Sequence, residues 1–338
     1  MLTTPFCREL GIEHPIFSVG FARGARPELA AAVSNAGGCG VLGSGPIGGD
    51  YLREEIAQVR ALTDRPFGVN VIIAGLAVPE AAPMVEERIR VCLEERVPAL
   101  VLFWGDPAPF VEDARRAGTR LLVQVGAVDE ARAAAAAGVD AVIAQGSEAG
   151  GHVKSRTPIW EMLPACVAAV DPVPVLASGG IRDGADIARA LTLGAQGVSL
   201  GTRFVASTEA YIHEEYKRRV VASTAEDTVY TEDLFDVGWP DAPHRALRGK
   251  TYEEWEAAGR PPSGERPGEG TTVGTLAEPW GTAEIPRYGV FMTTPGFDGD
   301  LDYAPLWAGE SVSAVREIKP AGEIVRELVA ETEAALRP

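Results

Sequence analysis

Eight short apolar runs alternate with helix-like segments between residues 14 and 200, and this rhythm constrains the fold more than any other feature of the 338-residue chain. The runs fall at 14–19, 39–43, 67–73, 99–104, 120–125, 141–144, 173–177 and 197–200. The segments between them, at 27–36, 50–62, 79–94, 107–117, 129–137, 158–170 and 183–193, carry helical patterning. Strands buried on both faces read as continuous apolar runs rather than alternating ones. Pro or Asp opens several of the helical segments and Gly follows several of them, the usual capping asymmetry. Strand–helix alternation implies a parallel sheet. Eight repeats predict closure into an α/β (β/α)8 TIM barrel, with a doubly wound open sheet as the competing architecture. A barrel takes about 250 residues, so the length leaves room for a further lobe.

The rhythm breaks after about residue 211. Residues 225–305 are rich in Pro, Gly, Glu and Trp, with helices expected only at 212–222 and 252–258. The run PPSGERPGEG at 261–270 reads as an exposed loop. The predicted organisation is a barrel of residues 1–212 plus 306–338, closed by a helix at 321–336, with a lid or substrate lobe of residues 213–305 inserted after the eighth strand. Met84, Ile89 and Leu93 read as ordinary core.

Charge and cysteine usage exclude several classes. The net charge of −17 repels nucleic acid and anionic membranes. No apolar run approaches the ~20 residues of a membrane span, and the N-terminus lacks a basic region followed by an apolar one. Cys7, Cys39, Cys92 and Cys166 are scattered without a C-x-x-C, which suits a reduced, cytoplasmic protein. No metal-ligand spacing is present.

Two pieces of the chain carry chemistry. The stretch ASGGIRDGADIARALTLGAQGVSLGTRF (177–204) ends two neighbouring strands in glycine. Ser178, Gly179 and Gly180 follow the seventh strand, and Ser199, Leu200, Gly201 and Thr202 close the eighth. Glycine turns and a helix N-terminus make a phosphate site, which in barrels lies after strands seven and eight. Gly-Gly-Ile-Arg is neither a P-loop nor a dinucleotide fingerprint. The second piece, AQGSEAGGH (144–152), follows the sixth strand. A lone histidine in a loop is ordinarily a surface residue. Here four polar or charged residues and three glycines crowd nine positions after a buried strand, which points to His152 as a base near neutral pH. Gly150 and Gly151 let that loop fold tightly, and Glu148 reads as a turn cap. Asn70, Trp104 and Gln124 end strands three, four and five. With Phe21, Phe235 and Trp239, Trp104 outlines an apolar pocket.

These pieces, with LAAAVSNAGGCGVLG (29–43), RPFGVNV (65–71) and VSLGTRF (198–204), resemble the nitronate monooxygenase family over residues 5–212 and again near 307–327. The resemblance implies a barrel binding FMN noncovalently, with Asn70, Gln124, Gln145, Gly150, Gly151, Ser178 to Gly180 and Ser199 to Thr202 as cofactor contacts. It implies His152 as the catalytic base, a nitronate or nitroalkane and O2 as small-molecule partners, and a carbonyl compound and nitrite as products. A homodimer is compatible with it. The chain departs from the family pattern at Phe17-Ser18-Val19-Gly20, where an amide and a methionine are usual, and at Gln124, where a cation is common. Related FMN barrels that use NAD(P)H to reduce quinones or enoyl groups, or a specialised biosynthetic flavoenzyme, are the rival readings.

Overall fold

The computed structural model describes residues 2–337. Eight parallel strands form one sheet: β1 (Ile16–Ser18), β2 (Gly40–Gly43), β3 (Phe67–Ile72), β4 (Ala99–Phe103), β5 (Arg120–Val125), β6 (Ala141–Gln145), β8 (Val175–Ser178) and β9 (Gly197–Leu200). A two-residue strand, β7 (Gly151–His152), lies between β6 and β8 in the chain but belongs to a different sheet. The eight strands follow one another around the sheet and β9 pairs with β1. A parallel bridge from Phe17 to Cys39, with Cys39 N–H donating to the Ile16 carbonyl at 2.8 Å, brings β1 onto the start of β2 and closes a TIM barrel.

Side-chain parity divides the core. Successive strand residues point to opposite faces, so Ala99 and Val101 of β4 fall in one cluster with Phe17, Val41, Leu122, Ile143 and Leu176, while Leu100 and Leu102 join another. The first cluster fills the barrel and is plugged by Phe6, Cys7 and Leu10 of α1 (Pro5–Leu10). The second packs beneath α2 (Pro27–Asn35), α3 (Gly49–Leu62), α4 (Ala82–Glu94), α5 (Val111–Ala117), α6 (Val128–Ala137), α7 (Ile159–Val170) and α8 (Gly184–Thr192). The four cysteines are buried and free. Met84 is a correction to the expected core: it is 43% exposed, whereas Ile89 one turn further along is 2% exposed.

Beyond β9 come α9 (Thr202–Val205), α10 (Glu214–Ala222), β10 (Thr228–Thr231), β11 (His244–Leu247), α11 (Lys250–Ala257), β12 (Thr272–Glu278), β13 (Gly281–Pro286) and β14 (Phe297–Gly299). The final helix, α12 (Ala321–Ala335), packs so tightly on α8 that a Cβ at Gly184 would lie 2.3 Å from Glu331. The five strands β10 to β14 were not expected from the sequence. They are short, antiparallel and mixed in polarity (TVYT, HRAL), so neither a long apolar run nor strict alternation marks them. The 261–270 loop is mostly exposed, as expected, except that its Arg266 is buried, bonded to Asp236 and Glu269.

Candidate active site

The site is built on the C-terminal ends of the barrel strands, where the strand–helix turns gather. On one side stand the two glycine turns. Gly179 and Gly180 take φ of +85° and +73°, a left-handed pair that only glycine adopts without strain. Among the described residues, the amides of Gly180 and Ile181, and those of Gly201, Thr202 and Arg203 at the start of α9, have no hydrogen-bond partner. Unpaired amides gathered in glycine turns can make an anion cradle. The N-terminus of the longer α8 is differently engaged. Asp183 Oδ1 accepts from Ala185 and Asp186, and Glu331 accepts from Gly184, so carboxylates already meet that helix dipole. The side chains of Ser178 and Ser199 are buried beside the turns. Thr202 Oγ1 accepts from Gly309 N–H at 2.9 Å, which ties the returning chain to the cradle.

Beside the cradle lies the loop after β6, the neighbour of β8, which packs on the glycine turn: a Cβ at Gly179 would sit 2.8 Å from Ala149 and one at Gly180 3.1 Å from Glu148. Gln145 ends that strand buried, and its carboxamide holds the loop in shape: Nε2 donates to the His152 carbonyl at 3.0 Å and Oε1 accepts from Lys154 N–H at 2.9 Å. Glu148 accepts from Ile159 N–H and so caps α7, as its position suggested. Gly150 is required by close approach, since a Cβ there would sit 2.3 Å from Gly309 N. Gly151 takes φ +69° and begins β7. The histidine loop is therefore an element of a sheet. β7 pairs antiparallel with β11, His152 opposite His244, and β11 pairs with β10. Asn70 sits half-buried at the mouth, its Nδ2 donating to the Val101 carbonyl at 3.2 Å, and Gln124 is half-buried at the end of β5.

Aromatic rings enclose His152. Trp239 lies 4.0 Å away between ring centroids, Trp307 5.5 Å and Trp104 6.3 Å. Phe235 packs on Trp307 at 5.6 Å and on His244 at 5.7 Å. Trp104 lies one residue past β4, at φ +65°, rather than in the strand. Burial, together with the neighbouring His244, pulls the His152 imidazole down from 6.5 to about 3. The ring is neutral near pH 7. Its Nε2 is buried and bonds to nothing, an arrangement that native interiors avoid unless a ligand or a reaction uses the atom.

His244 and Trp307 are site residues that the sequence did not reveal. Phe235 N–H donates to His244 Nε2 at 3.0 Å, so that nitrogen carries no proton, and Nδ1 therefore donates to the Ala242 carbonyl at 3.0 Å. Thr231 Oγ1 lies 2.9 Å from the same Nε2. Burial lowers the His244 pKa as well. Trp307 Nε1 donates to the Phe291 carbonyl, and its own carbonyl accepts from the Tyr216 hydroxyl at 2.5 Å. No local motif foretold either residue, because each reaches the site through pairing with a distant segment.

Comparison with known proteins agrees with this geometry. A family model described as nitronate monooxygenase matches residues 4–331. The chain is similar to a nitronate monooxygenase of Paraburkholderia phytofirmans, 34% identical over 359 residues, with 94% of this chain and 92% of the relative covered. It is also similar to a (3aS,4S,5R,7aS)-5-hydroxy-7a-methyl-1-oxo-octahydro-1H-indene-4-carboxyl-CoA dehydrogenase of Mycobacterium tuberculosis, 36% identical over 262 residues, covering 77% of this chain and 70% of that one. Among solved structures, FabK from Thermotoga maritima superposes with a TM-score of 0.79 at 31% identity, covering 99% and 98% of the two chains. A nitroalkane oxidase from Streptomyces ansochromogenes gives 0.75 at 30% identity, covering 96% and 97%. A TIM barrel with a glycine cradle beside a half-buried histidine, matched over nearly its whole length, makes this oxidoreductase a member of the nitronate monooxygenase family.

Proposed function

We propose that the chain is an FMN-dependent enzyme that oxidises alkyl nitronates with O2 to a carbonyl compound and nitrite, and that takes neutral nitroalkanes when His152 removes their α-proton. The observation that carries this reading is the free, buried Nε2 of a neutral imidazole, carried on a loop that packs against a cradle of free amides. The residues present fit the cofactor. Gly180, Ile181, Gly201, Thr202 and Arg203 would hold the phosphate through backbone amides, with Ser178 and Ser199 beside them, and the half-buried amides of Asn70 and Gln124 near the ends of β3 and β5 would bond the ring system. FMN, when bound, supplies the electron transfer.

The remaining work belongs to this chain's own side chains. The neutral Nε2 of His152 accepts the α-proton of a nitroalkane as negative charge develops on the substrate beside it, which raises the imidazole's proton affinity from its low resting value, and a nitronate, already deprotonated, bypasses that step. Trp104, Trp239, Phe235 and Trp307 exclude water and hold an apolar substituent. Residues 213–305 act as the substrate lobe, since they supply Phe235, Trp239 and His244.

A nicotinamide-dependent reductase is the second reading, favoured by the similarity to FabK and to the CoA-thioester dehydrogenase. One experiment separates them: absorption spectra of the purified protein under nitrogen, before and after an alkyl nitronate and, separately, NADH. Bleaching of a yellow protein by nitronate alone supports the oxidation. Bleaching by NADH alone makes it a reductase, and a protein that neither carries nor takes up FMN overturns both.

A further inference from the structure

A buried cation is one of the ties that hold the roof over His152. Residues 233–239 carry Phe235 and Trp239, and they run across the mouth with little regular structure of their own. Arg266, from the 261–270 loop, reaches into this segment with a side chain that is 1% exposed. Its Nη1 donates to the carbonyls of Asp233 and Leu234, each at 3.0 Å, and to Asp236 Oδ1 at 2.7 Å. Its Nε donates to Glu269 Oε1 at 3.1 Å, and Nη2 reaches Glu269 and Ser263. The guanidinium lies over the Tyr288 ring, 4.2 Å from its centroid. Glu269 is in turn fixed by the amides of Gly264 and Arg266.

These contacts bear on both aromatic residues. Asp233 and Leu234 immediately precede Phe235, whose amide is held from the other side by His244. Asp236 opens the turn that carries Trp239, because its carbonyl accepts from Trp239 N–H at 3.0 Å. The side chains of Val237 and Pro240 are exposed and Gly238 takes φ +100°; besides Arg266, the turn is tied by the Val237 backbone, whose N–H donates to the Tyr288 carbonyl at 3.1 Å and whose carbonyl accepts from Val290 N–H at 3.0 Å. An arginine serves where a lysine would not: the planar fork satisfies two carbonyls and two carboxylates at fixed angles.

We propose that Arg266 is a positioning residue for the substrate end of the site: its clasp on residues 233–236 sets Phe235 and Trp239 over His152 and so determines how tightly an apolar substrate is held. The substrate half of this statement rests on the function proposed above; the clasp itself does not.

The test uses the full chain with Arg266→Met, the milder Arg266→Lys and Asp236→Asn, so that one poorly folding variant does not decide the matter. Three readouts are followed. The first is the rate at which diethyl pyrocarbonate modifies His152, measured on its peptide by mass and compared with His14 and His213. The second is nitronate kinetics, and the third is bound-flavin absorbance. Loosening the roof should speed His152 modification by about tenfold with His14 and His213 unchanged, and raise KM about tenfold with kcat within about threefold, flavin content being retained. Arg266→Lys should fall between Arg266→Met and the unsubstituted protein. Unchanged His152 modification in folded Arg266→Met overturns the clasp. Faster modification with unchanged KM overturns its role in holding substrate. If the unsubstituted protein does not turn over nitronate, the proposed function and the substrate half fall together, while the modification rates still decide the clasp.

Discussion

The two halves of the active site are made of different material. The cradle side consists of backbone: free amides, left-handed glycines and short turns at the ends of β8 and β9. The other half consists of side chains: one histidine between tryptophans, held by strands from a segment about 90 residues later, as the pairing of His152 with His244 shows. A backbone site recognises what every substrate of a cofactor-dependent enzyme shares. A side-chain site recognises what distinguishes one substrate from another, and its shape depends on contacts that can be altered one at a time.

Substitutions can break this comparison or sharpen it. The largest effect is expected at His152. His152→Ala should lower turnover of a neutral nitroalkane by about 10²–10⁴-fold, with a smaller loss on the matching nitronate and no loss of bound flavin. Equal losses on both substrates in steady-state assays would remove the base from the mechanism. On the cradle side, Gly179→Ala places a Cβ 2.8 Å from Ala149 at φ +85°. The left-handed backbone alone costs about 1–2 kcal/mol, so a lower Tm and loss of flavin on dilution are expected together. A variant that keeps its flavin would show that the turn is structural only.

Trp239→Leu is expected to be milder. An aromatic pair contributes about 0.5–1.5 kcal/mol beyond its burial, so KM for a bulky nitronate should rise up to about tenfold while flavin content and kcat hold. A change in flavin retention would mean that the two halves are not separable. The last effect is on the pH dependence of stability rather than on activity. The folded His152 pKa, about 3, lies below its ordinary 6.5. The unfolded chain therefore binds the extra proton first, and stability, fully present above about pH 6.5, is lost as pH falls toward 3. His152→Gln should flatten that slope in denaturant titrations between these values; an unchanged slope would assign it to other groups.

The same division explains what could be read in advance. All eight barrel strands were legible to within a residue or two at most ends, because a strand buried on both faces must be apolar throughout and its helix follows locally in sequence. The glycine turns were legible for a related reason, as only glycine meets their φ without strain. His152 stood out through its crowded loop, but its burial, its neutral state and its place in a sheet did not. His244 gave no signal at all. Arg266 was misleading, since PPSGERPGEG has the composition of a solvated loop and nothing local shows that Asp236 waits to receive a buried cation.

The sequence alone determined the barrel, the turn chemistry after its last two strands and the family, since each rests on local periodicity or on residues adjacent in the chain. Tertiary structure decided which rings surround His152, how its proton affinity is shifted and what holds the roof in place. Those properties arise where segments far apart in sequence pair antiparallel and exclude water, and no window of the chain contains both partners.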